Sequence, residues 1–310
     1  MPKKILIDTD PGIDDTMAIL FALRSPELEV VGMTAVFGNA YVDITAQNAL
    51  RLVELEDNHQ VPIAKGASLP LVHPPGSMGM HVHGEDGMGG TNPAPPKGEL
   101  INIPAAQFIV QQVLAHPGEI TLVPVGPLTN IALALRLEPR IADLVKEVVI
   151  MGGSAYAGGN ASPVAEANIY NDAHAADIVF SAGWPLTMVG LDATLKCIMS
   201  KDYLDELGST GNPATDLIRR VIPFYQEFHH QNYGMNGDLH THDPSAVAYV
   251  IDPSIYQTEC VPMFVETTGR CAGQTVPDSQ RQMGDHQEVN VCLDVNNEVF
   301  LELFKERMIS

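Results

Sequence analysis

A chain of 310 residues, 45 % of them apolar, has material for one large α/β domain or two smaller ones. Its net charge of −21 and isoelectric point near 4.7 argue against a nucleic-acid partner, which would need a basic face. No apolar run approaches the ~20 residues of a spanning helix, and the one in "MPKKILIDTD" is too short for a signal peptide. Cys197, Cys260, Cys271 and Cys292 stand far apart without a CxxC pair, so free thiols in a reducing cytoplasm are expected, with no membrane partner.

Ile5–Ile7 reads as a short buried strand. Asp14 to Ser25 reads as a helix, with Asp15, Ile19 and Leu23 at i, i+4 and i+8 and Pro26 stopping it. "EVVGMTAVFGN" is strand-like through Val36, and "DITAQNALRLVELE" is helical. "EITLVPVG" is a strand followed by the helix "PLTNIALALRL", with proline near its start. "VKEVVIMGG" and "LTMVGLDAT" read as strands on either side of the helix "DAHAADIVFSAG". "DPSAVAYVIDP" is a short helix bounded by prolines, and "VNVCLDVNNEVFLELFKERM" closes the chain as strand and helix. Strands that are continuous apolar runs, alternating with helices, specify a parallel sheet covered on both faces. The expectation is an α/β fold over residues 1–310: a single domain with an open, mostly parallel, Rossmann-like sheet and helices on both faces.

Two stretches break this rhythm. Residues 73–96 hold six glycines and five prolines, the composition of a functional lid or a disordered segment. Residues 224–242, "FYQEFHHQNYGMNGDLHTH", mix aromatics, histidines and glycines, as for a helix end over a pocket or an ordinary surface connection. Phe224, Tyr225, Phe228 and Tyr233 are candidates to stack on a ligand, and Met78, Met80 and Met88 candidate lid contacts.

The unusual polar residues fall at strand ends, where open parallel sheets bind ligands. Asp8 and Asp10 end the first strand, Asn39 follows the second, Val125 and Gly126 close the third, Met151 the fourth and Asp192 the fifth. The segment "DTDPGIDD" crowds four aspartates into eight residues. Neighbouring carboxylates resist ionising together unless a cation or hydrogen bonds offset the cost. Capping of the next helix accounts for one aspartate; four favour a hard cation, Ca²⁺ or Mg²⁺, over zinc.

These residues also carry a resemblance. "DTDPGIDD", "HGEDG", "VPVGPLTNIA", "MGG…GNASPVAEANIYND" and "HTHDPSAVAY", in this order and followed by "GQTVPD" and "VNVCLDV", resemble the nucleoside hydrolases of the inosine-uridine type. The resemblance implies a single domain of the nucleoside hydrolase fold, a tightly bound Ca²⁺ and a homodimer or homotetramer. It implies that Asp10, Asp15, Asp243 and the Val125 carbonyl hold the metal. Asp14 and Asn39 would face the 2′-hydroxyl and the attacking water. Asn160, Glu166 and Asn168 would grip the other sugar hydroxyls beside Met151, and His83 and His242 would face the base. Ala167 stands where many relatives carry phenylalanine, and Ala173 where proline is common.

The implied reaction is hydrolysis of a ribonucleoside to ribose and free base through an oxocarbenium-like transition state. Asp10 is the expected general base and His242 the expected acid, charging near neutral pH. Two rivals start from the same residues. A haloacid-dehalogenase-type Mg²⁺ phosphatase would use Asp8 and Asp10, but no convincing later lysine or acidic pair follows. A non-catalytic nucleoside binder would have no use for both Asp10 and His242. The HxH pairs His81–His83 and His240–His242 lie in glycine-rich loops rather than on strands, which disfavours zinc. Base preference is not legible.

Overall fold

The computed structural model describes residues 1–74 and 78–310. In chain order the strands are β1 (Lys3–Thr9), β2 (Leu28–Ala35), β3 (Ile63–Lys65), β4 (Ile120–Pro124), β5 (Glu147–Met151), β6 (Leu186–Val189), β7 (Ile198–Met199), β8 (Leu239–His240), β9 (Tyr256–Val265), β10 (Thr275–Pro277) and β11 (Glu288–Val295). Nine of them form one sheet in the order β10-β9-β11-β6-β5-β4-β1-β2-β3, while β7 and β8 pair apart from it. The run from β3 to β11 is parallel throughout. Strands β9 and β10 complete one edge antiparallel. The expected open, mostly parallel α/β sheet is therefore present. The sequence reading missed β9, because Gln257–Cys260 of its first half are exposed and no continuous apolar run marks it.

Both faces of the sheet are covered. Successive side chains of a strand point to opposite faces, so Ile5 and Ile7 of β1 join one core cluster and Leu6 the other. In β5, Val149 faces the first cluster and Val148 and Ile150 the second. This double burial is why the strands read as uninterrupted apolar runs. The helix after β1 spans Ile13–Leu23, two residues short of Ser25 at its end, and every residue from Ile13 to Ala22 is buried. It packs against the helices Pro213–Tyr233, Asp243–Ile251 and Asn297–Ile309, so it has no solvent face to show the expected amphipathic stripe.

The strand order from β3 to β6 reverses direction between β1 and β4, which are hydrogen-bonded neighbours. Ligand crevices of open α/β sheets lie outside the carboxyl ends of the strands at that reversal. Asp10 follows β1 there, and Val125 follows β4.

One further expectation is corrected and two open ones are decided. "LTMVGLDAT" is a strand only to Val189. Leu191 N–H then bonds the Gly153 carbonyl at 2.9 Å and Leu191–Thr194 coil into a helical turn. Within the 73–96 segment, of which 75–77 lie outside the described residues, Met80–His83 form a short helix, so His81 and His83 do not lie in a loop, and side chains tie down the stretch after it. The Asp86 carboxylate accepts from the N–H groups of Met88, Gly90 and Asn92, and Asn48 Nδ2 donates to the carbonyls of Pro11 and Asp86. Residues 224–233 continue the long helix through Pro223 to a left-handed Gly234 (φ 68°), which ends it with its N–H on the His230 carbonyl.

Candidate active site

A cavity of about 290 Å³ opens at the β1/β4 reversal. Asp14, Asn39, His83, Val125, Met151, Asn160, Glu166, Asn168, His242 and Asp243 all line it. Asp10 and Asp15 do not; they are fully buried in a layer beneath. The Pro11–Gly12 turn produces this layering. It starts the helix so that Asp14 and Asp15 fall in its first turn, under the positive end of the helix dipole. Asp15 points inward, where it accepts from Thr9 Oγ1, Asp10 N–H (3.1 Å), Gly12 N–H (2.9 Å) and Asn39 Nδ2 (2.9 Å). Asp14 faces the cavity.

Asp243 arrives from the far end of the chain at the start of its own helix, bounded by Pro244. Single carboxylate oxygens of Asp14, Asp15 and Asp243 lie within 4.8 Å of one another, all buried. Burial, then the charges of Asp14, Asp15 and Asp10, push Asp243 well above the usual carboxylate range. Burial and the charge of Asp14 raise Asp15 in spite of its hydrogen bonds. Burial lifts Asp14 to about 6. Among the described residues the one basic group paired with this cluster is His83, 3.8 Å from Asp14.

Asp10 sits in a slot with no room to move. A Cβ on Gly38 would lie 2.0 Å from its Oδ2, and one on Gly126 2.3 Å from its Oδ1. Oδ2 accepts from Asn39 N–H at 2.7 Å, whereas Oδ1 is buried without a partner. An orphaned oxygen in a glycine cradle, next to three crowded carboxylates, is the donor set a hard divalent cation requires. Asp10, Asp14, Asp15 and Asp243 thus fit a metal, although Asp10 itself stands outside the closest trio. The Val125 carbonyl borders the cavity and accepts from Asn168 Nδ2 at 2.9 Å. Asp8 also has a buried oxygen without a partner, Oδ2, but it stays out of the cavity, and its Oδ1 is a structural tie that accepts from Thr34 Oγ1 and Asn130 Nδ2.

Glu166 caps the helix Ala167–Asn171, accepting from Asn168 and Ile169 N–H. Burial raises it to about 7. Asn160 Oδ1 accepts from Ala167 N–H, which ties Asn160 to the backbone between Glu166 and Asn168. Ala167 lines the cavity itself.

The opposite wall is aromatic. Tyr225 stacks on His83 with ring centroids 5.5 Å apart and on Phe228 at 6.4 Å. Tyr225, Phe228 and Tyr233 line the cavity, but Phe224 does not. None of Met78, Met80 or Met88 lines it, and Met88 is buried in the core. Asp192 also falls outside it. The Tyr225 hydroxyl reaches towards Asp14 Oδ2 at 3.5 Å, a link to the carboxylates with no signal in the sequence. Tyr170 borders the cavity too, with no signal in the sequence.

His83 Nδ1 accepts from Ile13 N–H at 3.1 Å, so its neutral form carries the proton on Nε2. Burial lowers it to about 4. His242 Nδ1 lies 2.9 Å from Thr194 Oγ1. Burial, then His240, His229 and His83, hold His242 well below its ordinary value. The free pocket therefore holds a neutral imidazole, against the expectation of one that charges near neutral pH.

Residues 5–302 match the family model of the inosine-uridine preferring nucleoside hydrolases. The chain belongs to the inosine-uridine preferring nucleoside hydrolase family. This nucleoside hydrolase is by membership a hydrolase of N-glycosidic bonds. It is 43 % identical over 303 residues to the inosine-uridine preferring nucleoside hydrolase of Crithidia fasciculata, covering 97 % of this chain and 95 % of that one. It is 38 % identical over 314 residues to uridine nucleosidase 1 of Arabidopsis thaliana, covering 99 % and 93 %. Among solved structures, the plant nucleoside hydrolase PpNRh1 superposes with a TM-score of 0.96 at 34 % identity, covering both chains completely. Among the described residues no helix is long and apolar enough to cross a membrane.

Proposed function

We propose that this chain is a Ca²⁺-dependent ribonucleoside hydrolase that releases ribose and free base. The observation that carries the reading is the buried trio Asp14, Asp15 and Asp243, of which Asp14 and Asp243 line a cavity with both polar and aromatic side chains. Oxygen donors without a thiolate favour Ca²⁺ over softer ions. Asp10, Asp15, Asp243 and the Val125 carbonyl would hold the ion, with Asp14 alongside. Once bound, Ca²⁺ would supply Lewis acidity towards water and sugar oxygens.

The chain's own groups do the rest. Asp10, the carboxylate with an uncommitted oxygen, takes the proton of the attacking water. Asp14 and Asn39 orient the 2′-hydroxyl, and Asn160, Glu166 and Asn168 the remaining hydroxyls beside Met151. The ring of carboxylates stabilises positive charge growing on the sugar. His83 donates through Nε2–H to the base, and His242 lends an N–H hydrogen bond to the leaving nitrogen; the base departs with the electron pair of the broken bond and takes its proton from water. Tyr225, Phe228 and Tyr233 cover the base face. The relatives' names differ on the base, uridine in one and inosine with uridine in the other, and aromatic side chains suit either, since purines and pyrimidines both present a π face.

Purified protein is incubated with uridine, cytidine, inosine, adenosine, guanosine and a phosphate monoester, with Ca²⁺ and with chelator. Ribose from at least one nucleoside, abolished by chelation, is the expected result. Ribose release that survives complete metal removal, or phosphate release alone, defeats the reading. We further propose a homodimer or homotetramer, which light scattering will size, and residence in the cytoplasm, in keeping with four free cysteines.

A further inference from the structure

The backbone after β5 is held in an unusual way. Four successive N–H groups each donate to a side-chain oxygen from elsewhere. Gly153 donates to Glu166 Oε2 (2.9 Å), Ser154 to Thr275 Oγ1 (2.8 Å), and Ala155 and Tyr156 to Asp192 Oδ2 and Oδ1 (both 2.7 Å). The Thr275 hydroxyl returns its own proton to the Ser154 carbonyl at 2.7 Å, so residue 154 is gripped on both sides. Thr275 and Asp192 are almost fully buried and border no part of the cavity. They come from β10 and from the turn after β6. From this rail hangs the segment that ends in Asn160 and Glu166, and Glu166 is itself the first anchor.

We propose that Asp192 and Thr275 are positioning residues for the sugar end of the cavity. They fix residues 153–156 so that Asn160, Glu166 and Asn168 are presented in one geometry before substrate arrives. The inference rests on the reading above that these three grip sugar hydroxyls. A carboxylate spanning two adjacent N–H groups and a hydroxyl used as donor and acceptor at once cannot be replaced by apolar isosteres without orphaning buried backbone groups. Displacements well under an ångström at a binding constellation are costly, because the hydroxyl contacts must form together.

The test compares Thr275→Val, Thr275→Ser, Asp192→Ala and the unaltered protein on uridine, 5′-deoxyuridine and 3′-deoxyuridine, following uracil release. Thr275→Val and Asp192→Ala are expected to lower kcat/KM on uridine by about tenfold or more, mainly through KM. Thr275→Ser keeps the hydroxyl and is expected to stay within about threefold of the unaltered protein. The loss should shrink on at least one deoxy substrate, which lacks a hydroxyl that the displaced residues would have held. Equal losses on all three substrates overturn the proposal, since a merely structural defect makes no distinction among them. Amide exchange gives a readout independent of activity. Faster exchange confined to 153–169 with β1 and β4 unchanged supports the proposal, and unchanged exchange in that segment overturns it. If the unaltered protein releases ribose from none of the five ribonucleosides, the functional reading fails, while the exchange result still decides the positioning role.

Discussion

Gly126→Ala isolates the slot that holds Asp10. Gly126 does not occupy the left-handed region, so alanine is conformationally allowed and the effect is steric. The new Cβ would stand 2.3 Å from Asp10 Oδ1, where ordinary contacts begin at 3.4 Å. The oxygen must therefore move by about 1 Å, or the strand must shift. Retreat is blocked, because Gly38 closes on Oδ2 from the other side and Asn39 N–H holds that oxygen at 2.7 Å. Overpacking of this kind costs about 1–3 kcal/mol. Charged to the productive carboxylate position, that is a loss of roughly fivefold to a hundredfold in kcat/KM and in Ca²⁺ affinity. The assay is ribose release together with calorimetric Ca²⁺ titration, with Gly98→Ala, on a remote loop, as control. A folded Gly126→Ala protein that keeps both quantities within twofold of the unaltered one would refute the idea that the Asp10 carboxylate is a placed functional group.

Three further outcomes are expected. Ca²⁺ binding near pH 6 should release protons, since Asp14, Asp15 and Asp243 all have raised pKa values before the ion arrives; titration in MES and in imidazole should give different apparent enthalpies, and identical ones would mean the carboxylates were already ionised. A 2′-deoxyribonucleoside should be hydrolysed up to ~10⁴-fold more slowly than its ribo counterpart, because a missing hydroxyl leaves buried polar groups unpaired; comparable kcat/KM values on uridine and 2′-deoxyuridine would exclude the placement of Asp14 and Asn39. Glu166 has a folded pKa of about 7 against 4.5 unfolded, so its protonated form favours the fold. Its contribution is complete below pH 4.5 and declines as pH rises to 7, by on the order of 3 kcal/mol. Urea unfolding of metal-free protein across that window should therefore show a smaller decline in Glu166→Gln than in the unaltered protein.

Much of this molecule is legible in one dimension. A continuous apolar run such as Ile5–Ile7, once read as a strand, implies cover on both faces, because pleating sends neighbouring side chains in opposite directions. Aspartates crowded after that strand require a cation or a hydrogen-bond network whatever the fold. Local spacing and the cost of uncompensated charge are properties of the chain itself, and the sheet type and a site where crowded carboxylates must be offset follow from them.

Other features belong to packing between distant segments. Asp10 and Asp15 lie beneath the cavity while Asp14 lines it, because helix geometry turns neighbouring residues to different sides once the Pro11–Gly12 turn has set the phase. Asp192 stands at a strand end like the other polar residues, yet it turns away to hold Ala155 and Tyr156. The depressed pKa of His242 comes from burial among histidines carried by other elements. Hydrophobic periodicity encodes which face of an element is covered, but not which element covers it. Depth, the phase of a turn and the neighbours of a buried charge are settled only when the whole chain has condensed around them.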